Sequence, residues 1–157
     1  MNITVEEYFA AYAGHPDITP ERLANGEALI GKVDALLEAA ALDGLVLAVN
    51  PYTDCLISGS GNGGFRPQAC LIGAPKSTHK QGRGVDIYDP QRRLQAWCYR
   101  HPELMKELGL TMENGRWTPT WCHLQDTPPG PPGSPWRLDY IPDNSPAKVP
   151  ALPEQQP

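Results

Sequence analysis

The segment Ser77-Thr78-His79-Lys80-Gln81-Gly82-Arg83-Gly84-Val85-Asp86-Ile87-Tyr88 combines a turn with a β-strand and is the centre of the predicted fold. Its last five residues are typical of a short strand, and Gly82 and Gly84 let the backbone reverse direction before it. His79 on the turn and Asp86 in the strand can therefore face one point. The segment predicts a strand that carries a carboxylate beside an imidazole.

A second predicted strand supplies another imidazole. Trp117 to Leu124 has an alternating character that places Trp121 and His123 on one face. With His79 and Asp86, this histidine completes a set of three nitrogen and oxygen ligands, which leaves the fourth position of a tetrahedral zinc ion open, as in catalytic sites. The spacing alone also fits a simpler interpretation, in which Asp86 caps a turn and His79 is a solvated loop residue.

Helices are expected before this sheet. A short helix is predicted from Ile3 to Tyr12. A longer one begins after Thr19, a residue typical of the N-cap, and ends near Asp43-Gly44. Its apolar face consists of Leu29, Val33, Leu36, Leu37 and Ala40. Helices followed by a small antiparallel sheet predict an α+β fold.

Further elements are expected on either side of the quoted segment. Leu45–Val49 and Cys55–Ser58 are short apolar runs bounded by turn residues, which predict strands. Asp89-Pro90 predicts the start of a helix that buries Leu94, Trp97 and Cys98, and Pro102 is expected to break it.

Proline is concentrated at the end of the chain. Eleven of its 18 prolines fall between Pro119 and Pro157. The sequence therefore predicts a single domain over residues 1–142 and a disordered Pro-rich tail over residues 143–157. Trp136–Tyr140 is expected to pack back on the domain as a finishing strand or belt.

Composition and charge exclude several functional classes. The formal net charge of −5 and the lack of a Lys/Arg stripe argue against nucleic-acid and membrane-surface binding. The N-terminus lacks the pattern of a secretory signal, so synthesis in the cytoplasm is expected. Gly59–Gly64 lacks the order of a phosphate-binding loop. The four cysteines have no Cys-x-x-Cys pair and are expected to be mostly reduced, buried thiols, namely Cys55, Cys70, Cys98 and Cys122.

Three separated elements resemble one enzyme family. They are Gly64-Phe65-Arg66, Ser77-x-His79-x-x-Gly82-x-Gly84-x-Asp86, and Trp121-x-His123. Their order is similar to that in the zinc D-Ala-D-Ala carboxypeptidases and L-alanyl-D-glutamate endopeptidases. This family of peptidoglycan metallopeptidases includes vancomycin-resistance dipeptidases and phage endolysins, and the hedgehog signalling domain shares its fold. The matched stretch, from about Ile57 to Leu124, covers less than half of the chain.

The resemblance implies roles for the matched residues. His79, Asp86 and His123 are the implied zinc ligands. Arg66 is the implied pocket arginine, which orients the carboxylate or carbonyl of the peptide and stabilises oxyanion charge. On structural grounds Arg66 could instead hold its own glycine loop. Ser77 either lines the substrate pocket or caps the turn before His79.

Three further positions carry weaker expectations. Gly84 stands where the family has Ala, a small change that we expect to matter little. Phe65 replaces Tyr and so loses one hydroxyl. Gln125, two residues after the last ligand, either binds substrate or forms local hydrogen bonds.

The general base is missing from its family position. Many members have Glu or Asp three residues before the last ligand, where this chain has Thr120, and another branch has His at the position of Thr118. A hydroxyl has no pKa near neutrality and cannot replace them. The candidate substitutes are Asp126, just past the strand, and Glu113, in the preceding turn.

The resemblance implies a zinc metallopeptidase that cleaves peptidoglycan stem peptides, either as a carboxypeptidase or as an endopeptidase. A monomeric phage or prophage lysis protein is expected, which acts at the cell wall after release or is carried in a virion. The missing base motivates an alternative, a zinc-binding but catalytically silent module of a phage particle. A plain α+β domain without metal is the third interpretation.

Overall fold

The chain combines helices with a small antiparallel sheet, as its sequence predicts. A computed structural model describes residues 2–128 and 138–139. Within these residues there are four α-helices, two 3-10 helices and four β-strands, which is an α+β architecture. The described helices include none that has both the length and the apolarity needed to cross a membrane.

The N-terminal helices confirm the sequence prediction. α1 spans Val5–Phe9 and continues into a 3-10 helix at Ala10–Tyr12. α2 spans Pro20–Leu42, and the hydroxyl of Thr19 accepts a hydrogen bond from the amide of Arg22. The predicted apolar face of α2 is buried along its whole length, at Leu29, Val33, Leu36, Leu37 and Ala40.

The sheet consists of β1 (Gly84–Tyr88), β2 (Thr111–Glu113), β3 (Trp121–Gln125) and β4 (Leu138–Asp139). Its strand order is β1-β3-β2-β4, and all pairs are antiparallel. β1 and β3 confirm predicted strands, whereas β2 forms where the sequence predicted a turn. β4 is part of the expected finishing strand.

Two predicted strands are wrong. Leu45–Val49 forms neither a strand nor a bridge, and Cys55–Ser58 forms only isolated bridges, which pair Cys55 with Asn50 and Ile57 with a residue of β1. The Asn50 amide donates to the carbonyls of Ile57 and Gly59, both at 2.7 Å. A turn at residues 51–54 therefore closes on Cys55–Ser58, which lies beside β1 through two backbone hydrogen bonds, from Ser58 to Asp86 at 2.8 Å and from Tyr88 to Leu56 at 2.7 Å, without forming a full strand.

The later elements begin further along the chain than predicted. α3 spans Arg93–Arg100, not a helix from Asp89, but the Asp89 carboxylate still accepts the amide of Arg93 at 2.8 Å. α4 spans Pro102–Leu108. β3 begins at Trp121 and not at Trp117, because the buried amide of Gln95 on α3 binds the carbonyl of Thr118 and ties this segment to the helix.

The sheet has an apolar face and a polar face. Side chains alternate along each strand, so the helices cover one set of positions. These positions are fully buried, namely Val85, Ile87, Met112, Cys122 and Leu124. The other face carries Asp86 and His123, which puts the functional candidates opposite the helical core.

The cysteine prediction holds for two of the four thiols. All four are free thiols, but only Cys98 and Cys122 are buried, while Cys55 and Cys70 are half-buried. Cys122 lies on the core face, as expected for a neighbour of His123. The predicted boundary at residue 142 and the predicted disorder of residues 143–157 lie outside the described residues.

Candidate metal centre

His79 is held by a short 3-10 helix, Thr78–Gln81, that precedes β1. The helix ends at Gly82, whose φ of 73° is a left-handed conformation that glycine adopts without strain. The His79 side chain is buried, and its Nδ1 donates a hydrogen bond to the Gly64 carbonyl at 2.8 Å. Because the ring proton is on Nδ1, Nε2 keeps its lone pair for a metal ion.

Asp86 and His123 lie opposite each other in the β1–β3 pair. The Asp86 Oδ1 atom is 2.7 Å from His123 Nδ1. His123 Nε2 is 3.2 Å from Gln125 Oε1, and the Gln125 amide donates to the Thr127 carbonyl and hydroxyl at 3.0 Å and 2.8 Å. This orientation of the amide makes Oε1 the acceptor and places a proton on Nε2, so Nδ1 is the ligand atom.

The three donor atoms converge from separate elements. His79 Nε2 is 3.3 Å from both Asp86 Oδ1 and His123 Nδ1. Tetrahedral ligands at about 2.0–2.1 Å from zinc stand about 3.3 Å from one another. Two edges of the triangle match this spacing, and the third is a 2.7 Å hydrogen bond. The buried His79–Asp86–His123 group therefore fits a metal ion, which confirms that the predicted ligands come together.

Burial and charge act on the three groups in different directions. Burial lowers the pKa of His79, and the charge of Asp86 opposes that shift. Burial alone would raise the pKa of Asp86, but the two imidazoles outweigh it and hold this pKa well below its usual range. Burial would likewise lower the pKa of His123, but the hydrogen bond and charge of Asp86, and then the charge of Glu113, raise it. A metal ion would replace the proton between His123 and Asp86.

Arg66 adjoins this group and makes one predicted contact, with its own glycine loop, and one that was not predicted, with Asp86. Its Nη2 donates to Asp86 Oδ2 at 2.9 Å, and its Nε donates to the Asn62 carbonyl in the glycine loop at 2.5 Å. The arginine therefore holds its own loop and also orients the Asp86 carboxylate. Its Nη1 and the Ser77 hydroxyl both approach Gly73, where an added Cβ would lie 3.0 Å and 3.3 Å from them. Ser77 makes no side-chain cap of the 3-10 helix.

Asp126 is held away from a role as general base. Its Oδ1 accepts from Arg83 Nε at 2.8 Å, and its Oδ2 accepts from Lys32 Nζ at 3.1 Å. Its side chain is only 4% exposed. Both carboxylate oxygens thus bind cations that link α2 to the end of the sheet, and this geometry favours a structural role.

Glu113 lies on the polar face beside the ligands. The β2–β3 register pairs Thr111 with Gln125 and Met112 with Leu124, and continuing it by one position beyond its last pair sets Glu113 opposite His123. Asp86, His123 and Glu113 therefore form one row across three strands. Glu113 is half-buried, and its charge acts on His123. The sequence placed this residue in a turn, and only the strand pairing reveals its position.

Gly84 is more constrained than the family comparison suggested. An added Cβ would collide with Thr78 Oγ1 and lie 3.2 Å from His123 Cε1. The family's alanine therefore does not fit here unless Thr78 moves. The expectation that this difference matters little is wrong, because the glycine lets the 3-10 helix lie directly on β1.

Two supporting groups were not predicted. The Gly64 carbonyl orients His79, and Thr127 orients Gln125. A backbone carbonyl has no sequence signal, whereas the position of Gln125 two residues after His123 did indicate a shared face. Gln125 makes local hydrogen bonds, which is one of its two predicted roles.

Comparison of the chain with protein-family models, with curated proteins and with solved structures found no match.

Proposed function

We propose that this protein is a zinc-dependent peptidase that hydrolyses peptidoglycan stem peptides. The observation that carries the proposal is the buried donor triangle of His79, Asp86 and His123 with the carboxylate of Glu113 in the same row. The resemblance of three sequence elements to the zinc D-Ala-D-Ala peptidase family, whose fold the hedgehog domain shares, supplies the substrate class.

The donor chemistry supports zinc. Two imidazole nitrogens and one carboxylate oxygen form a mixed set typical of catalytic zinc sites. Both histidines have a second hydrogen bond that orients the ring, to Gly64 and to Gln125. Zinc bound here would polarise the scissile carbonyl and lower the pKa of a water molecule.

Each neighbouring group has a defined task in this reaction. Glu113 accepts a proton from the attacking water and returns it to the leaving amine, which the two threonines at the family positions cannot do. Arg66 holds Asp86 through Nη2, and its Nη1, beside Ser77, orients a substrate carboxylate or carbonyl. We propose Ser77 as a substrate contact at that end of the site.

The proposal extends to the place of action. Stem peptides occur in the cell wall, so a monomeric enzyme would act there after release from the cell or from a virion. D-amino acids and the γ-linked glutamate make these bonds resistant to ordinary proteases, which explains why a dedicated enzyme is needed.

The first test is metal content. Protein purified without chelators should contain close to one zinc ion per chain, and His79→Ala should lose it. His15→Ala is the matched control, because His15 contacts the amide of Asp17 in the loop before α2. Absence of zinc from the wild-type protein would exclude a zinc enzyme.

The second test is hydrolysis. Zinc-loaded wild type should release new amines from purified sacculi and from a synthetic stem pentapeptide, as followed by mass spectrometry, and His79→Ala should not. Full zinc content with no cleavage of either substrate would instead support the catalytically silent module. Equal cleavage by wild type and His79→Ala would contradict the proposed site.

A further inference from the structure

The polar face of the sheet continues past the ligands to two aromatic residues. Tyr88 and Trp121 are paired across β1 and β3, two positions from Asp86 and His123 respectively. At about 3.3–3.4 Å per residue, this row lies about 7 Å from the ligand row. Because side chains alternate between the faces, both rings lie on the same face as the ligands.

In the part of the chain that the structure describes, this face is closed at one end and more exposed at the aromatic end. At the closed end Gln125 is 3% exposed and Thr111 is 5% exposed, and the Thr78 side chain covers Gly84. Tyr88 and Trp121 are both half-buried. Among the described residues, a bound molecule that contacts the donor triangle can therefore also reach the rings of Tyr88 and Trp121, which lie two positions away along the strands.

Space adjoins this aromatic row. Tyr88 lines a cavity of about 240 Å³ at its end of the row, whose other walls are residues 46–48, residues 89–91 and Arg93. This volume is below that of typical pockets for whole drug-sized ligands, and it suits a small side group. Within the described part of the chain, neither Tyr88 nor Trp121 stacks on another aromatic ring.

We propose that Tyr88 and Trp121 form an apolar subsite that binds an uncharged, alanyl-type residue of the substrate, about two residues from the scissile bond. The proposal rests on the peptidase function above. Arg66 and Glu113 lie beside the row of the donor triangle, and the two aromatic side chains carry no charge. Asp89 and Arg93 also line the cavity, but the Asp89 carboxylate binds backbone amides and Arg93 donates to the Val46 carbonyl. An aliphatic group gains contact area on the rings, whereas a charged group would lose hydration there.

Kinetics of single variants test this subsite. Zinc-loaded Trp121→Ala should raise KM for the stem pentapeptide by about 5–10-fold while kcat changes less than about twofold, and Trp121→Phe should restore most of the loss. Trp117→Ala is the matched control, since this tryptophan lies before β3 and is 43% exposed. Tyr88→Ala provides a second variant in case Trp121→Ala fails to fold.

Binding gives a readout that needs no turnover. Zinc-loaded Glu113→Gln protein is titrated with the stem pentapeptide while the indole N–H resonances of the four tryptophans are recorded by NMR. The Trp121 resonance, assigned by its loss in Trp121→Phe, should shift and the Trp117 resonance should not.

The two proposals fail in different ways. A shift of the Trp121 resonance without any cleavage by the wild type would support the subsite and overturn the peptidase. Cleavage with an unchanged KM in both Trp121→Ala and Tyr88→Ala would overturn the subsite and leave the peptidase intact. If the peptide neither shifts the Trp121 resonance nor is cleaved, both proposals are wrong.

Discussion

Replacing Glu113 by its amide should lower activity, whereas replacing Asp126 by its amide should lower stability and leave activity nearly unchanged. In Glu113→Gln the proton acceptor is lost but the side-chain size is kept, so kcat should fall by about 10²–10⁴-fold with zinc content unchanged. In Asp126→Asn the ion pairs of a structural carboxylate are lost. This variant should keep kcat within about twofold of wild type and should unfold at a lower temperature.

The size of the stability loss follows from the geometry of Asp126. Its side chain is 4% exposed and binds Arg83 at 2.8 Å and Lys32 at 3.1 Å, but these cations are 38% and 36% exposed. Because solvent screens the cationic partners, each pair contributes about 0.5–1 kcal/mol. The total of about 1–2 kcal/mol corresponds to a decrease in Tm of about 3–8 °C for a domain of this size.

The assay measures turnover of a stem pentapeptide by zinc-reconstituted proteins and Tm by circular dichroism. Glu107→Gln is the matched control, because this glutamate is exposed on α4. It should leave kcat and Tm unchanged. If Asp126→Asn abolishes turnover while Glu113→Gln retains it, the assignment from strand register is wrong. If both variants retain full turnover, neither carboxylate is the base.

Three further predictions concern the ligands and their supports. Gly84→Ala should weaken zinc binding by about tenfold or more, because the added Cβ collides with Thr78 beside His123. An unchanged zinc affinity in a competition titration would show that Thr78 relocates freely. Gln125→Leu should weaken zinc binding by about 10–100-fold through loss of the hydrogen bond to His123, and Gln125→Glu should bind zinc more like the wild type. Equal zinc affinities of the wild type and Gln125→Leu would contradict the orienting role of Gln125. Contact with Asp86 raises the pKa of His123, so at pH values below this pKa zinc must displace a proton from the ring. Zinc affinity should therefore fall as the pH decreases below the pKa of His123 and should level off above it. A zinc affinity independent of pH between 5.5 and 8 would contradict the contact with Asp86.

Much of the local structure was predictable because neighbouring residues specify it. The Thr19 cap, the proline that follows it and the apolar spacing of α2 are local signals, and the helix forms where they predict. The alternation in β3 likewise placed Trp121 and His123 on one face, and the pairing of β1 with β3 puts Asp86 on that same face.

Other segments were not predictable because distant polar groups redirect them. Cys55–Ser58 has a strand-like composition, yet it forms only isolated bridges, and the Asn50 amide binds the Ile57 carbonyl. Trp117–Thr120 continues the alternation of β3, yet Gln95 binds its backbone to α3. In both cases a buried side-chain amide satisfies carbonyls that a strand would have paired, and composition does not reveal that competition.

The amino-acid sequence by itself singled out His79, Asp86 and His123, through a turn and two predicted strands together with the resemblance of three motifs to a metallopeptidase family; the spacing alone left a structural role open. Only the tertiary structure shows the different surroundings of the two candidate carboxylates. Glu113 reaches the site through a strand pair, and Asp126 is withdrawn by Lys32, which lies 94 residues away in the chain. Register and long-range ion pairs depend on which surfaces meet during folding, and no local pattern encodes them.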